Sequence, residues 1–176
     1  MIKRSDVARH WATAPPPWPG FWLDWGEPAC FSCGGFSSLA DQSAPNTWSR
    51  WDAATYLERA HIVPRALGGD DTAGNMLLLC AHCHAEAPDT ADPRDMFEFC
   101  QRSPNAWRVD TPRSPMTFAD AARLFGVTAD AMSGLLSADT DSRNEWLSTY
   151  VGTHGSAIGA ATMACACRAF AAANPT

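Results

Sequence analysis

The chain has 176 residues, 13 basic and 19 acidic, for a formal net charge of −6, and 46% of it is hydrophobic. That is the composition of a globular protein, one domain with room for a small second unit. The acidic balance argues against a protein that coats nucleic acid non-specifically, which needs many phosphate contacts, but not against local engagement through one basic patch.

No apolar run of signal-peptide or membrane length follows Met1-Ile-Lys-Arg, so the expectation is a cytoplasmic protein that engages no membrane. In a reducing compartment the seven cysteines read as metal ligands plus spares rather than disulfides.

Residues 5–13 predict a short helix capped by Ser5, with Val7 and Trp11 on one face. The proline-rich stretch Pro15 to Gly20 ends it. The aromatic run Phe21-Trp22-Leu23-Asp24-Trp25 reads as rings packed over a metal knuckle rather than as a base-stacking platform. Cys30-Phe-Ser-Cys33 is a chelating pair, with Gly34 allowing its turn. Residues 37–47 look like a loop, and 48–54 like a helical turn carrying Trp48 and Trp51.

Tyr56 to Val63 predicts a strand stopped by Pro64, and Gly68-Gly69-Asp70-Asp71 a turn. Asn75 to Leu79 predicts a short buried strand. It leads into a second pair, Cys80-Ala-His-Cys83, on a helix ended by Pro88. Asp92-Pro93 is a helix start, a capping Asp followed by a Pro whose missing N–H does no harm; that helix carries Met96, Phe97, Phe99 and Cys100.

Residues 103–116 read as a Pro- and Arg-bearing linker, and 117–173 as helical. Phe118 to Leu135 has helix-turn-helix spacing. Thr128 to Ala138, however, offers no Arg, Lys, Asn or Gln to read bases, so the expectation is a helical hairpin packed on the core. The last helix, 157–173, is expected to supply little apolar face because it is so rich in Ala. Cys165 and Cys167, at poor chelate spacing, read as small packing residues.

Cys30, Cys33, Cys80 and Cys83 together form a soft tetrahedral donor set suited to a structural zinc. Cys80-Ala-His-Cys83-His84 also fits covalent haem attachment, but the second Cys pair and the lack of an export signal argue against it. A neutral imidazole near pH 7 suits the activation of a water. A His, an Asn and a His lie in one short stretch between and beside the two pairs, which a zinc would hold in place. His61, with Asn75 and His84 behind it, is the candidate set for that chemistry.

Ala60-His61-Ile62-Val63-Pro64, then Gly68-Gly69-Asp70-Asp71, then Asn75-Met-Leu-Leu-Leu-Cys80-Ala-His-Cys83-His84 resembles the HNH endonuclease family, zinc-knuckle subtype, over roughly residues 28 to 90. The resemblance implies an α+β protein with a zinc-stapled ββα-metal core and additional, mainly C-terminal helices. Its units would be an N-terminal helix and aromatic segment, 1–27, packed on the core; the nuclease domain, 28–103; and a helical region, 104–176.

It further implies metal-dependent cleavage of DNA, leaving 3′-hydroxyl and 5′-phosphate ends. His61 is the general base, and His84 a ligand of a catalytic Mg²⁺ or other divalent ion. Asn75 either ligates that ion or holds the His61 loop. Many HNH proteins carry a metal-binding Asp or His where this chain has Ala60. Glu58, two residues earlier on the same strand face, is the candidate replacement ahead of Glu86 and Asp89.

Arg59 and Arg65 are candidate phosphate clamps, and His82 is expected to face solvent or a phosphate. A homodimer would supply two sites for double-strand cutting; a larger phage or defence complex is the other assembly considered. The alternative function is a catalytically weak or inactive zinc module that binds nucleic acid or a protein partner, its site decayed at Ala60.

Overall fold

A computed structural model describes residues 2–14, 23–37, 43–103, 109, 113–152 and 158–175. Phe21 and Trp22, the stretch Pro15 to Gly20 and most of the 103–116 linker lie outside them.

Two strands, β1 (Leu57–His61) and β2 (Met76–Cys80), pair antiparallel with His61 opposite Met76 and Leu57 opposite Cys80. β2 is buried along its whole length, as its unbroken apolar sequence demands. It runs directly into helix α3 (Ala81–Glu86), which is capped at Ala87, just before Pro88. Two strands and this helix make the ββα unit.

Two helices precede the hairpin, α1 (Arg4–Thr13) and α2 (Thr47–Ala53). Ser5, expected as the cap of α1, is instead inside the helix, and Lys3 is the capping residue. Ser5 is buried because its backbone N–H and Oγ both donate to the Asp52 carboxylate, at 2.9 and 3.0 Å. The indole N–H of Trp11 donates to the Met76 carbonyl at 2.7 Å, which fastens α1 to β2. Trp25, Phe31 and Trp51 meet edge-on or tilted, with Phe31 and Trp51 fully buried. These aromatics are core.

After α3 come α4 (Pro93–Arg102), α5 (Phe118–Leu124), α6 (Ala129–Ser137), α7 (Thr140–Tyr150) and α8 (Ala160–Ala173). The expectation for α8 is corrected: Ala161, Ala164, Cys165, Ala166 and Cys167 are buried, and α5, α6 and α7 all contact this helix. Small side chains let the neighbouring backbones approach closely, so a modest apolar surface is still well packed. α5 and α6 are joined by a short turn and both pack on α8 rather than on each other as a hairpin, and Ala121 and Phe125 join the core that holds Phe99 and Leu78.

The tail is tied to the segment that follows α3. Thr90 bridges Val151, the Gly152 N–H donates to the Asp89 carbonyl at 2.8 Å, and the Asp89 N–H donates to Thr162 Oγ1 at 3.0 Å. Asp95, 2% exposed, accepts from Thr90, Tyr150 and Arg168. No helix among the described residues is long and apolar enough to cross a membrane.

Candidate active site

The Sγ atoms of Cys30, Cys33, Cys80 and Cys83 all lie within 4.8 Å of one another, and all four residues are buried. A tetrahedral zinc with Zn–S bonds of about 2.3 Å would separate its sulfurs by about 3.8 Å; the quartet fits that cage. Gly34, at φ 71, closes the first knuckle so that its N–H can donate to the Cys30 carbonyl at 2.8 Å. The Phe31 N–H donates to the Leu78 carbonyl at 2.8 Å and seats that knuckle on β2.

The four thiols shift one another in opposite directions. Burial pushes Cys30 up, contact with Cys30 lowers Cys33 to about 7, and hydrogen bonds from Cys30, Cys33 and Cys83 hold Cys80 far below the ordinary thiol range. Four thiolates around a divalent ion leave a net charge of −2. Arg113 answers part of it: its Nη2 donates to Cys80 Sγ at 3.3 Å and to Cys83 Sγ at 3.6 Å. Sequence reasoning placed Arg113 in a linker, and nothing local to it signals a thiolate partner.

β1 sends alternate side chains to opposite faces. Arg59 and His61 line an open cleft of about 600 Å³ between α1 and the hairpin, together with Asp6, Arg65 and Asp71. His61 is partly buried there, and its Nε2 lies 2.9 Å from Asp71 Oδ1. Arg65 Nε donates to the same oxygen at 2.6 Å. The Arg65 and His61 hydrogen bonds hold the Asp71 carboxyl below the usual carboxylate range. Arg59 is engaged elsewhere, its Nη1 donating to the Ile2 carbonyl at 2.7 Å. It is a strut between β1 and the N-terminal segment.

Asn75 is the staple of the loop between the strands. Its Oδ1 accepts from the Val63 N–H at 3.0 Å, and its Nδ2 donates to the Val63 and Asp70 carbonyls at 3.0 and 2.9 Å. Of the two roles left open for it, these bonds match loop-holding. The loop also depends on its glycines. Gly68 sits at φ 89, and a Cβ on Gly69 would lie 1.7 Å from the Val63 carbonyl oxygen.

On the other strand face, Glu58 Oε2 lies 2.6 Å from His84 Nδ1. Ala60, beside it, is buried and offers no donor atom. Among the described residues, no second group of three His, Cys, Asp or Glu donors converges as the thiols do. Glu58 and His84 are therefore a two-donor pair, open to solvent. As placed, this contact is a hydrogen bond; with Nδ1 deprotonated, an imidazole nitrogen and a carboxylate oxygen are ligand types for a divalent ion that keeps waters in its remaining positions. Glu86 and Asp89 do not join the pair. His82 lines a separate groove with Glu86, Phe99 and Arg113.

A strand ending in His, an Asn-stapled loop and a His-bearing knuckle helix, in this order, agree with a comparison of the chain against family models. Residues 46–89 match the model of the HNH endonuclease family. The HNH segment covers β1, β2 and α3; Cys30, Cys33, Arg113 and α1 lie outside it. The type IV methyl-directed restriction enzyme EcoKMcrA of Escherichia coli strain K12 is 36% identical over 47 residues, 27% of this chain and 17% of that enzyme. The chain thus spans well under two thirds of the relative it matches. No solved structure matches.

Proposed function

We propose that the protein is a metal-dependent HNH endonuclease that hydrolyses DNA phosphodiester bonds. The carrying observation is the arrangement of the HNH segment: His61 at the end of β1 in an open cleft, its loop stapled by Asn75, and His84 paired with Glu58 on the other strand face, on a helix anchored by two thiolate ligands. The relative's name supports the nuclease class, and its matched share, 17% of that enzyme, carries no methyl-directed recognition to this chain.

Cys30, Cys33, Cys80 and Cys83 would hold a structural zinc, and Glu58 with His84 a Mg²⁺ or another divalent ion. Such an ion supplies charge neutralisation at the scissile phosphate and help for the leaving oxygen. His61 takes the proton from the attacking water at the ring nitrogen that Asp71 does not occupy. Arg65, 66% exposed on the rim of the cleft, supplies positive charge for a phosphate oxygen. Asn75 keeps the 63–70 loop, and hence the cleft wall, in one conformation.

Nicking and linearisation of plasmid DNA with Mg²⁺ or Mn²⁺ test this reading. The wild type is expected to cleave and His61→Ala to lose about a hundredfold or more in rate. Equal behaviour of the two would leave a zinc module without catalysis, the reading that the missing donor at Ala60 favours.

A further inference from the structure

We propose that Asp71 is a positioning residue for the base: it fixes which nitrogen of His61 faces the water, and the Arg65 hydrogen bond holds its carboxylate in place to do so. This rests on the endonuclease reading above. Residues 68–71 look like an ordinary polar turn, and neither the family match nor the relative assigns Asp71 a role.

The geometry is specific. One oxygen, Asp71 Oδ1, meets both His61 Nε2 at 2.9 Å and Arg65 Nε at 2.6 Å. An ionised carboxylate only accepts hydrogen bonds. A neutral His61 bound to it must therefore carry its proton on Nε2, which leaves the Nδ1 lone pair for the water. When Nδ1 takes the water's proton, the imidazolium is formed against a carboxylate already in place. Its charge is compensated without movement of the loop.

The turn that carries Asp71 is held from three sides. Asn75 Nδ2 donates to the Asp70 carbonyl, the Gly69 N–H donates to the Pro64 carbonyl at 3.0 Å, and Asp70 Oδ1 accepts from the Thr72 N–H and Oγ1 at 3.1 and 2.7 Å. Asp71 is thus presented to His61 by a braced backbone, although its side chain is 54% exposed. An ion pair so exposed contributes little to stability. A positioning role and a structural role therefore predict different losses.

The test uses the full-length, zinc-loaded protein with Mg²⁺ or Mn²⁺ and plasmid DNA. Wild type, His61→Ala, Asp71→Ala, Asp71→Asn and Asp71→Glu are compared for kcat, KM, melting temperature and zinc content. Asp71→Ala is expected to lower kcat about 10- to 100-fold, with KM within about twofold and unchanged melting temperature and zinc content. Asp71→Glu should recover part of kcat, since it restores the charge. Asp71→Asn should recover less, since it keeps an acceptor without charge.

Wild-type kcat in Asp71→Ala, beside an inactive His61→Ala, overturns the inference and leaves the endonuclease reading standing. A fall in kcat matched by loss of zinc or of thermal stability makes Asp71 merely structural and overturns it too. If wild type and His61→Ala behave alike, the endonuclease reading fails and the inference fails with it.

Discussion

Glu58 Oε2 lies 2.6 Å from His84 Nδ1 and joins β1 to the knuckle helix α3. The pair stands beside Ala60, where many HNH proteins have a ligand. If Glu58 and His84 share the catalytic ion, Glu58→Ala should raise the metal concentration for half-maximal cleavage by about tenfold or more, with zinc content unchanged. Glu58→Gln separates charge from hydrogen bonding: it keeps an acceptor for His84 but offers the ion a much weaker ligand. A metal titration unaltered in both variants would remove Glu58 from the site.

The thiolate quartet and Arg113 make a second, independent prediction. Structural zinc in small sites contributes on the order of 10 kcal/mol to folding, so chelation should unseat both knuckles and with them His84. The Arg113 guanidinium donates to Cys80 and Cys83 and offsets thiolate charge. Arg113→Met should release zinc to a competing chelator about tenfold faster, while Arg113→Lys falls between. Release measured with a zinc-sensitive dye checks this without any nuclease assay. Identical rates would make the Arg113 contact incidental.

How much of this was legible in the sequence follows from how far each partner sits along the chain. The cysteine pairs, Pro64, the glycine turn and the apolar 75–79 run carry local signals, so the hairpin and knuckles could be read directly. Ser5 could not be placed correctly because its partner, Asp52, comes from another helix. The tie of Arg59 to the Ile2 carbonyl could not be read because it is made across the fold. Asp71 looked like a turn residue because turn chemistry and base positioning use the same side chain. The packing of α8 was legible only in Cys165 and Cys167; that of Ala161, Ala164 and Ala166 was not, because Ala gains its packing through close backbone approach, which a hydrophobicity count undervalues.

The 63–75 loop should be intolerant of a single methyl group. A Cβ at Gly69 would meet the Val63 carbonyl oxygen at 1.7 Å and Asn75 Nδ2 at 2.8 Å. Gly69→Ala is expected to cost about 2 kcal/mol or more and to abolish cleavage, since relief requires the loop to move. Asn75→Ala removes three hydrogen bonds to that loop and should cost about 1–3 kcal/mol. Denaturant unfolding gives both values, and a Gly69→Ala protein as stable as wild type would contradict the geometry.

Acid should weaken the start of α4. Asp92 caps that helix, its Oδ1 accepting from the Arg94 N–H at 2.9 Å. Hydrogen bonds from Arg94 hold its folded pKa below the unfolded value of about 3.9. A lowered carboxylate pKa stabilises the fold above the unfolded value, and that contribution is lost as pH falls through the folded one. Asp92→Ala should cost about 1 kcal/mol at neutral pH, with the difference from wild type shrinking below about pH 4. A difference that persists at low pH would assign the loss to packing instead.

The last prediction concerns the joint between the HNH segment and the tail. Asp95 is buried on α4 and accepts from Thr90 Oγ1 at 2.7 Å, Tyr150 Oη at 2.6 Å and Arg168 Nη2 at 2.8 Å. Burial and the Asp95 hydrogen bond push the Tyr150 hydroxyl well above its usual range, so it remains a donor. Arg168 also holds Glu98 at 2.6 Å and lies over the Phe125 ring. Asp95→Ala strands three donors and should cost about 3–5 kcal/mol. Removing both charges, Asp95→Ala with Arg168→Met, should cost less than the sum of the single changes, because no buried charge is left alone. Strict additivity in a double-mutant cycle would mean that the two side chains do not act as a pair. Because Thr90 and Asp89 are fastened to Val151, Gly152 and Thr162 just beyond α3, the same substitution should raise hydrogen exchange in the 87–92 segment ahead of β1 and β2.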